Sequence, residues 1–259
     1  MRLTVLGSGS KGNSLVLDSG GSKLLVDAGF SCRALEKRMA RVEVDPDGFD
    51  GVVLTHEHGD HVRGAARFLR RHPAPVAATA GTLDGTKLDD EARRSATTLR
   101  SGHRQRLGSF EVEPFLIPHD AAEPVGVVIE DEAGCRVGLV ADLGSRSRLA
   151  WARLVELDAL ILETNHDLEM LRNGPYPWVL KQRVAGRHGH LSNADAALGL
   201  PELLCDRLRW VVAYHLSQTN NMPALVAHSL GEVLDREGSK ARVAVAAQDE
   251  PTPWLEVNP

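Results

Sequence analysis

The stretch "GVVLTHEHGDH", residues 51–61, crowds His56, His58, Asp60 and His61 against the end of an apolar run. Residues 51–55 read as a short buried strand, and "DHVRGAARFLRRH", from Asp60 onward, reads as a helix start. Such polar groups are costly to bury unless something binds them, and from one tight turn they cannot all point into a core. Residues two apart in an extended segment share a face, so His56 and His58 can reach one ion together. Asp60 and His61, at the helix N-terminus, point to a neighbouring place, as a second ion would need. Imidazole and carboxylate suit zinc, manganese or iron, and two such ions side by side make a hydrolytic clamp. Four ligands do not complete two sites, so the rest of the chain must supply more.

Four further apolar strands end in a candidate ligand. "LLVDAG" ends at Asp27, "FLIPHD" delivers His119, "VGLVADLG" delivers Asp142 and "VVAYHLS" delivers His215. Strand ends on one edge of a sheet converge on a common cleft. His56, His58 and His119 then give three nitrogens to one ion. Asp60, His61 and His215 serve a second, and the Asp142 carboxylate bridges.

The chain around these residues has an ordinary globular composition: 259 residues, 42% hydrophobic and 25% charged. One domain spanning residues 1–259 is expected, with no repeat, low-complexity segment or flexible linker. "MRLTVLGSGSKGNS" lacks the apolar core of a signal peptide, and no apolar run approaches the ~20 residues of a membrane span. Cys32, Cys135 and Cys205 show no CxxC spacing, so a reducing cytoplasm and neither a disulfide framework nor a thiolate zinc site is expected. The net charge of -5 and pI near 6.1 argue against nucleic acid, unless charge is segregated. Residues 92–110 hold Arg93, Arg94, Arg100, Arg104 and Arg106 and no acid, and Arg63, Arg67, Arg70 and Arg71 follow the histidine motif. These clusters read either as solvated faces or as a positive surface beside the metal site for an anionic substrate.

The opening segments "RLTVLG", "SLVLDSG" and "SKLLVDAG" predict an antiparallel meander. Gly7, Gly9 and Gly12 match G-x-G-x-x-G, but strand-like residues 14–18 stand where a dinucleotide fingerprint needs a helix. Helices are expected in "CRALEKRMARV", "DHVRGAARFLRRH", "SRLAWARLVEL", "ADAALGLPELLC" and "PALVAHSLGEVLDRE". Strands are expected in "PVAATA", "SFEVEPFLIPHD", "VGVVIEDEAGCRVGLVADLG", "DALILETN", "WVVAYHLS" and the tail "KARVAVAAQDEPTPWLEV". Each half is a few strands with amphipathic helices, which points to two packed sheets with helices outside.

The T-H-x-H-x-D-H signature with His119, Asp142 and His215 downstream resembles the metallo-β-lactamase superfamily, and the resemblance runs through the whole chain. It implies an α/β, four-layer αββα sandwich with two divalent metal ions at the sheet edge. It also implies that Asp27 is not a ligand but a carboxylate bracing the histidine loop. More narrowly, "GSGSKGNS", "LETNHD", "GPYPWVLKQRV", "GHLSN" and "HLSQTNN" are similar to the bacterial YycJ/WalJ-type group. That similarity implies a DNA exonuclease, working 5′ to 3′, with the tRNA 3′-processing enzymes as near neighbours. No β-CASP-sized insertion lies between Asp142 and His215, a departure from the large RNA-degrading nucleases.

By resemblance to the tRNA-processing nucleases, Glu163 and His190 would protonate the departing sugar oxygen, the glutamate holding the imidazole's tautomer and raising its pKa. His188 reads as a solvent-exposed loop histidine. The expected chemistry is two-metal hydrolysis of a phosphodiester in nucleic acid, DNA above all, with Asp60 also orienting the attacking water. Ser217, Asn220, Asn221, Arg100, Arg104 and Arg106 are candidate phosphate contacts, and Lys11, Arg183 and Arg187 are weaker ones. Ser192 and Asn193 fit a helix N-cap equally well. Rival readings are a hydrolase of a small ester, thioester or lactam, a tRNA 3′-processing-like ribonuclease, and a non-catalytic sensor or DNA-binding module. Neither the Glu163–His190 pair nor the arginines serve a small neutral substrate. The complete ligand set and the scarcity of aromatics (4%) weigh against the module. The oligomeric state is not readable from the sequence.

Overall fold

The chain's computed structural model describes residues 1–257. Its strands run β1 (Arg2–Gly7), β2 (Ser14–Ser19), β3 (Ser22–Val26), β4 (Gly51–Leu54), β5 (Val76–Ala78), β6 (Thr97–Thr98) and β7 (Gln105–Leu107). They continue with β8 (Phe110–Leu116), β9 (Val125–Asp131), β10 (Arg136–Val140), β11 (Ala159–Glu163), β12 (Trp210–Tyr214), β13 (Arg242–Val245) and β14 (Leu255–Glu256). The first sheet has the order β14-β1-β2-β3-β4-β5-β6 and the second β13-β12-β11-β10-β9-β8-β7. The last strand thus returns to pair with the first, Leu3 opposite Leu255.

Central strands with both faces covered read as unbroken apolar runs. β4 ("GVVL") and β11 ("ALILE") are buried at every residue, and each has parallel neighbours. One apolar cluster joins the inner faces of the sheets, from Leu3, Leu17 and Val53 on one side to Ile129, Leu139 and Ile161 on the other. Two more lie on the outer faces under the helices. The first outer layer is α1 (Cys32–Arg41), α2 (Gly59–Val62), α3 (Ala65–Arg71), α4 (Ala80–Gly85) and α5 (Asp90–Arg94). The second is α6 (Arg148–Trp151), α7 (Leu168–Asn173), α8 (Trp178–Val184), α9 (Asn193–Gly199) and α10 (Pro223–Arg236). α10 shows how sequence makes such a helix: Pro223 starts it, and Val226, Leu230, Val233 and Leu234 form its buried stripe. The result is the expected four-layer αββα sandwich.

Several expected helices are shorter than their apolar pattern. "DHVRGAARFLRRH" breaks into α2 and α3 at Gly64, where a Cβ would stand 1.9 Å from the Phe30 carbonyl oxygen. "SRLAWARLVEL" forms only the four residues of α6 before the chain turns through Glu156, at φ 54°, toward β11. "ADAALGLPELLC" ends as α-helix at Gly199 and continues as a 3₁₀ turn, Leu200–Leu203, because Pro201 has no N–H to extend the ladder. The helices α7 and α8, between β11 and His190, are not announced by periodicity. Among the described residues no helix is long and apolar enough to cross a membrane, and all three cysteines are free thiols.

Candidate metal centre

The parallel strands decide where the polar residues go. β3 and β4 run parallel in one sheet; β10, β11 and β12 run parallel in the other, and β8, two antiparallel steps from β10, shares their direction. Their C-terminal ends meet at one edge of the sandwich. Asp27, His56, His119, Asp142, Glu163 and His215 stand at or just past those ends, and the turn into α2 adds His58, Asp60 and His61. Asp27, Asp142 and His215 take left-handed backbone conformations, at φ 59°, 54° and 58°. Asp and His tolerate that region better than most side chains do; Asp142 and His215 line the cleft, and Asp27 lies behind it against His61.

Three groups of donor atoms form there, each within 4.8 Å of one another: His56/His58/His119, Asp60/His61/His215, and His56/His61/Asp142 between them. His119 Nε2 lies 3.2 Å from His58 Nδ1, and His215 Nε2 lies 3.3 Å from Asp60 Oδ2. Asp142 joins the two groups, with Oδ2 2.7 Å from His61 Nε2 and 3.4 Å from His56 Nε2, and Oδ1 2.7 Å from His215 Nδ1. These donors fit divalent ions. His56 Nε2 and both oxygens of Asp142 are buried without a hydrogen bond, a cost that bound cations would remove.

Partners behind the donors orient them. Asp27 Oδ2 holds His61 Nδ1 at 2.7 Å, the Gly189 carbonyl lies 3.2 Å from His119 Nδ1, and Thr55 Oγ1 lies 3.2 Å from His56 Nδ1. Burial alone would discharge these rings. At His61 it is outweighed by Asp27 and Asp142, which hold the imidazole up to about 10. His56, with burial and the neighbouring His61 both against charge, lies well below the ordinary imidazole value.

Glu163 occupies the floor. Fully buried, it accepts the Leu143 and Leu191 N–H groups on Oε2 at 2.6 and 3.1 Å, and faces His190 Nδ1 at 2.8 Å and His215 Nδ1 at 3.0 Å with Oε1. His190, on the loop before α9, lines the cleft. Burial opposes its charge, but Glu163 and Asp142 hold it up to about 9. Asp142, Glu163, His190 and His215 also form a donor group of their own, so the pair sits directly against the ligands.

The other candidate residues lie apart from this cluster. Arg104 is bound by Glu111 and Glu113 and Arg106 by Glu132 and the Gly108 carbonyl; the acids come from the adjoining β8 and the β9 turn. Arg106 sits opposite Glu111 at the end of the sheet away from His119, about 17 Å along the strand from Leu116. Arg100 is exposed past β6 and, like them, does not line the cleft. Ser217, Asn220 and Asn221 are buried in the turn after His215 rather than open to a phosphate. Ser217 Oγ accepts the Asn220 N–H, while Asn221 bonds the Thr164 and Asn165 carbonyls and Asn193. Ser192 caps α9, and Lys11, Arg187 and His188 are exposed outside the cleft lining.

Sequence reasoning passed over three residues that the structure brings in. Ser8 accepts the His215 N–H at 2.7 Å and donates to Asn13, whose Nδ2 lies 3.0 Å from His61 Nε2. Ser8 and Asn13 both lie in "GSGSKGNS", a stretch used above for its glycines and for the family resemblance but not for these two side chains. Asp120, next to His119, lies at the mouth.

Comparison with known proteins agrees with this geometry. The "Beta-lactamase superfamily domain" family matches residues 22–215. An exodeoxyribonuclease YycJ of Bacillus anthracis is 34% identical over 240 residues, 92% of this chain and 90% of that one. An exodeoxyribonuclease WalJ of Streptococcus pneumoniae is 31% identical over 264 residues, 99% of this chain and 98% of that one. The metallo-β-lactamase fold protein YhfI of Bacillus subtilis superposes with a TM-score of 0.75 at 18% identity, over 97% of this chain and 98% of that one. With strand ends, donors and relatives in agreement, the chain belongs to the metallo-β-lactamase superfamily, beside the YycJ and WalJ proteins, as a metal-dependent hydrolase.

Proposed function

We propose that the chain is a dinuclear phosphodiesterase that degrades DNA from an end, 5′ to 3′, in the cytoplasm, as one domain. The observation that carries the phosphodiesterase reading is the contact between His190 and Glu163. With Nδ1 committed to Glu163, Nε2 is the ring nitrogen left for the cleft, and a charged imidazole there can protonate a departing alkoxide. Two divalent ions, zinc or manganese or iron, held by His56, His58, His119 and by Asp60, His61, His215 with Asp142 between, would supply Lewis acidity and a water acidic enough to attack near neutral pH.

The remaining chemistry belongs to the chain. Asp60, more open to solvent than the Asp142 carboxylate, orients the attacking water. Glu163 holds His190 in one tautomer and stabilises its charge until the proton leaves. DNA and an end-acting mode rest on the names of the two bacterial relatives, and the 5′ to 3′ polarity on the motif resemblance to their group. The test is metal-reconstituted protein against 5′- and 3′-labelled single- and double-stranded DNA, RNA, a chromogenic phosphodiester and a thioester. Mononucleotides released first from the 5′ end of DNA are expected. Internal fragments, faster RNA cleavage, or hydrolysis of the thioester alone would overturn it in favour of an endonuclease, a ribonuclease or a small-ester hydrolase.

A further inference from the structure

The cleft wall is short of positive charge. Apart from the ring nitrogens, Arg183 on α8 is the one cationic side chain among the described residues that line it. Its guanidinium is held: Nε donates to Asp120 Oδ2 at 2.8 Å. The other oxygen of Asp120 lies 3.5 Å from His119 Nε2, so the guanidinium is one carboxylate away from the ligand cluster. A bond through Nε leaves both Nη groups for a ligand, the edge of the fork that matches two phosphate oxygens. The same face of α8 brings Leu180 and Val184 to the cleft beside it. Residues 170–190 contain Arg172, Lys181, Arg183 and Arg187 and no Asp or Glu.

We infer that Arg183 is a phosphate-binding residue for the nucleotide next to the scissile bond, and that Asp120 is its positioning residue. The inference rests on the nuclease reading above and adds a subsite to it. The phosphate meets the two Nη groups, and the sugar of the same nucleotide packs on Leu180 and Val184. Asp120 gives the long side chain one orientation before the strand arrives, so less rotamer freedom is lost on binding. It also keeps an uncovered cation from sitting against bound metal ions.

The test is anisotropy of a labelled single-stranded 12-mer across a salt series, with metal content measured on every variant. Arg183 is largely exposed, so its replacement removes no core. Arg183→Ala is expected to bind about 10- to 150-fold more weakly. Its log–log salt slope should be shallower by about 0.7, the signature of one lost single-strand phosphate contact. Arg183→Lys should recover the slope but only part of the affinity, because an ammonium lacks the fork. Asp120→Ala separates positioning from simple competition: it should weaken binding although a negative charge has gone. KM for the oligonucleotide should rise at least tenfold more than KM for a small chromogenic diester. Wild-type affinity and slope in Arg183→Ala, or lost metal in that variant, would overturn the inference while leaving the nuclease reading intact. Tighter binding by Asp120→Ala would overturn the positioning role. A wild-type protein that neither binds nor cuts any oligonucleotide would overturn both readings together.

Discussion

Asp27 Oδ2 lies 2.7 Å from His61 Nδ1, and neither side chain reaches solvent. The other oxygen, Oδ1, accepts from the Thr55 N–H at 2.9 Å. One carboxylate therefore fixes both the ring of a candidate metal donor and the first residue of the loop that carries three more candidates. The bond places the proton on Nδ1 and turns Nε2 toward Asp142.

Asp27→Asn is expected to fold, since Asn tolerates the left-handed backbone at φ 59°. Metal affinity should fall by about 10- to 100-fold, the usual worth of an outer partner to a histidine ligand. Asp142→Ala removes a donor shared by both groups and should bind fewer ions at any concentration. Chelator-competition titration separates the two outcomes. Unchanged affinity in Asp27→Asn would show that the carboxylate serves only the loop.

Replacing Arg100, Arg104 and Arg106 together with Ala is expected to leave oligonucleotide affinity and its salt slope close to wild type. Arg104 and Arg106 are already paired with glutamates at a distance from the cleft. Exposed pairs of this kind are worth about 0.2–1 kcal/mol each, so a small drop in Tm is the expected change. A flattened salt slope would restore these arginines as phosphate contacts.

These arginines also mark where a one-dimensional reading stops. Residues 92–110 contain no acid, but Glu111 and Glu113 of β8 and Glu132 of the turn after β9 reach Arg104 and Arg106, and strand pairing reveals the neutralisation. That the histidines and aspartates of the candidate centre cluster was legible for the opposite reason. A histidine or aspartate that ends an apolar run is placed by the strand itself, and parallel strands bring such ends together whatever the loops do. Ser217, Asn220 and Asn221 follow His215 directly, yet a turn folds them inward. Asn13 and Asp120 could not be found from spacing, because their contacts with His61 and Arg183 join residues distant in sequence.

His72, at the end of α3, lies 2.6 Å from Asp47 and 3.0 Å from Glu36. Burial disfavours its charge, but the two carboxylates outweigh it and hold the ring above the ordinary 6.5. A pKa raised by folding stabilises fully below the unfolded value, and the contribution disappears as pH rises through the folded one. His72→Gln is therefore expected to lower Tm more at pH 6 than at pH 9. An equal loss at both would assign His72 to packing against Phe68 alone.

The contact between His190 and Glu163 yields the sharpest expectation. If His190 protonates the leaving oxygen, His190→Ala keeps its metal yet loses about 10²- to 10⁴-fold in turnover on DNA. A nitrophenolate departs without a proton, so the loss should shrink sharply on a nitrophenyl phosphodiester. Glu163→Gln should reproduce the defect, because an amide neither stabilises the imidazolium nor enforces one tautomer. The double variant should be little worse than either single one, since the two act as a unit. His188→Ala, exposed and outside the cleft lining, should behave as wild type. Glu163 also faces His215 at 3.0 Å, so metal content must be measured alongside turnover. Metal lost from Glu163→Gln would make the carboxylate a partner of the ligands first. Equal slowing of good and poor leaving groups by His190→Ala would remove proton donation from the mechanism, and with it the observation that favours a phosphodiester over a small ester.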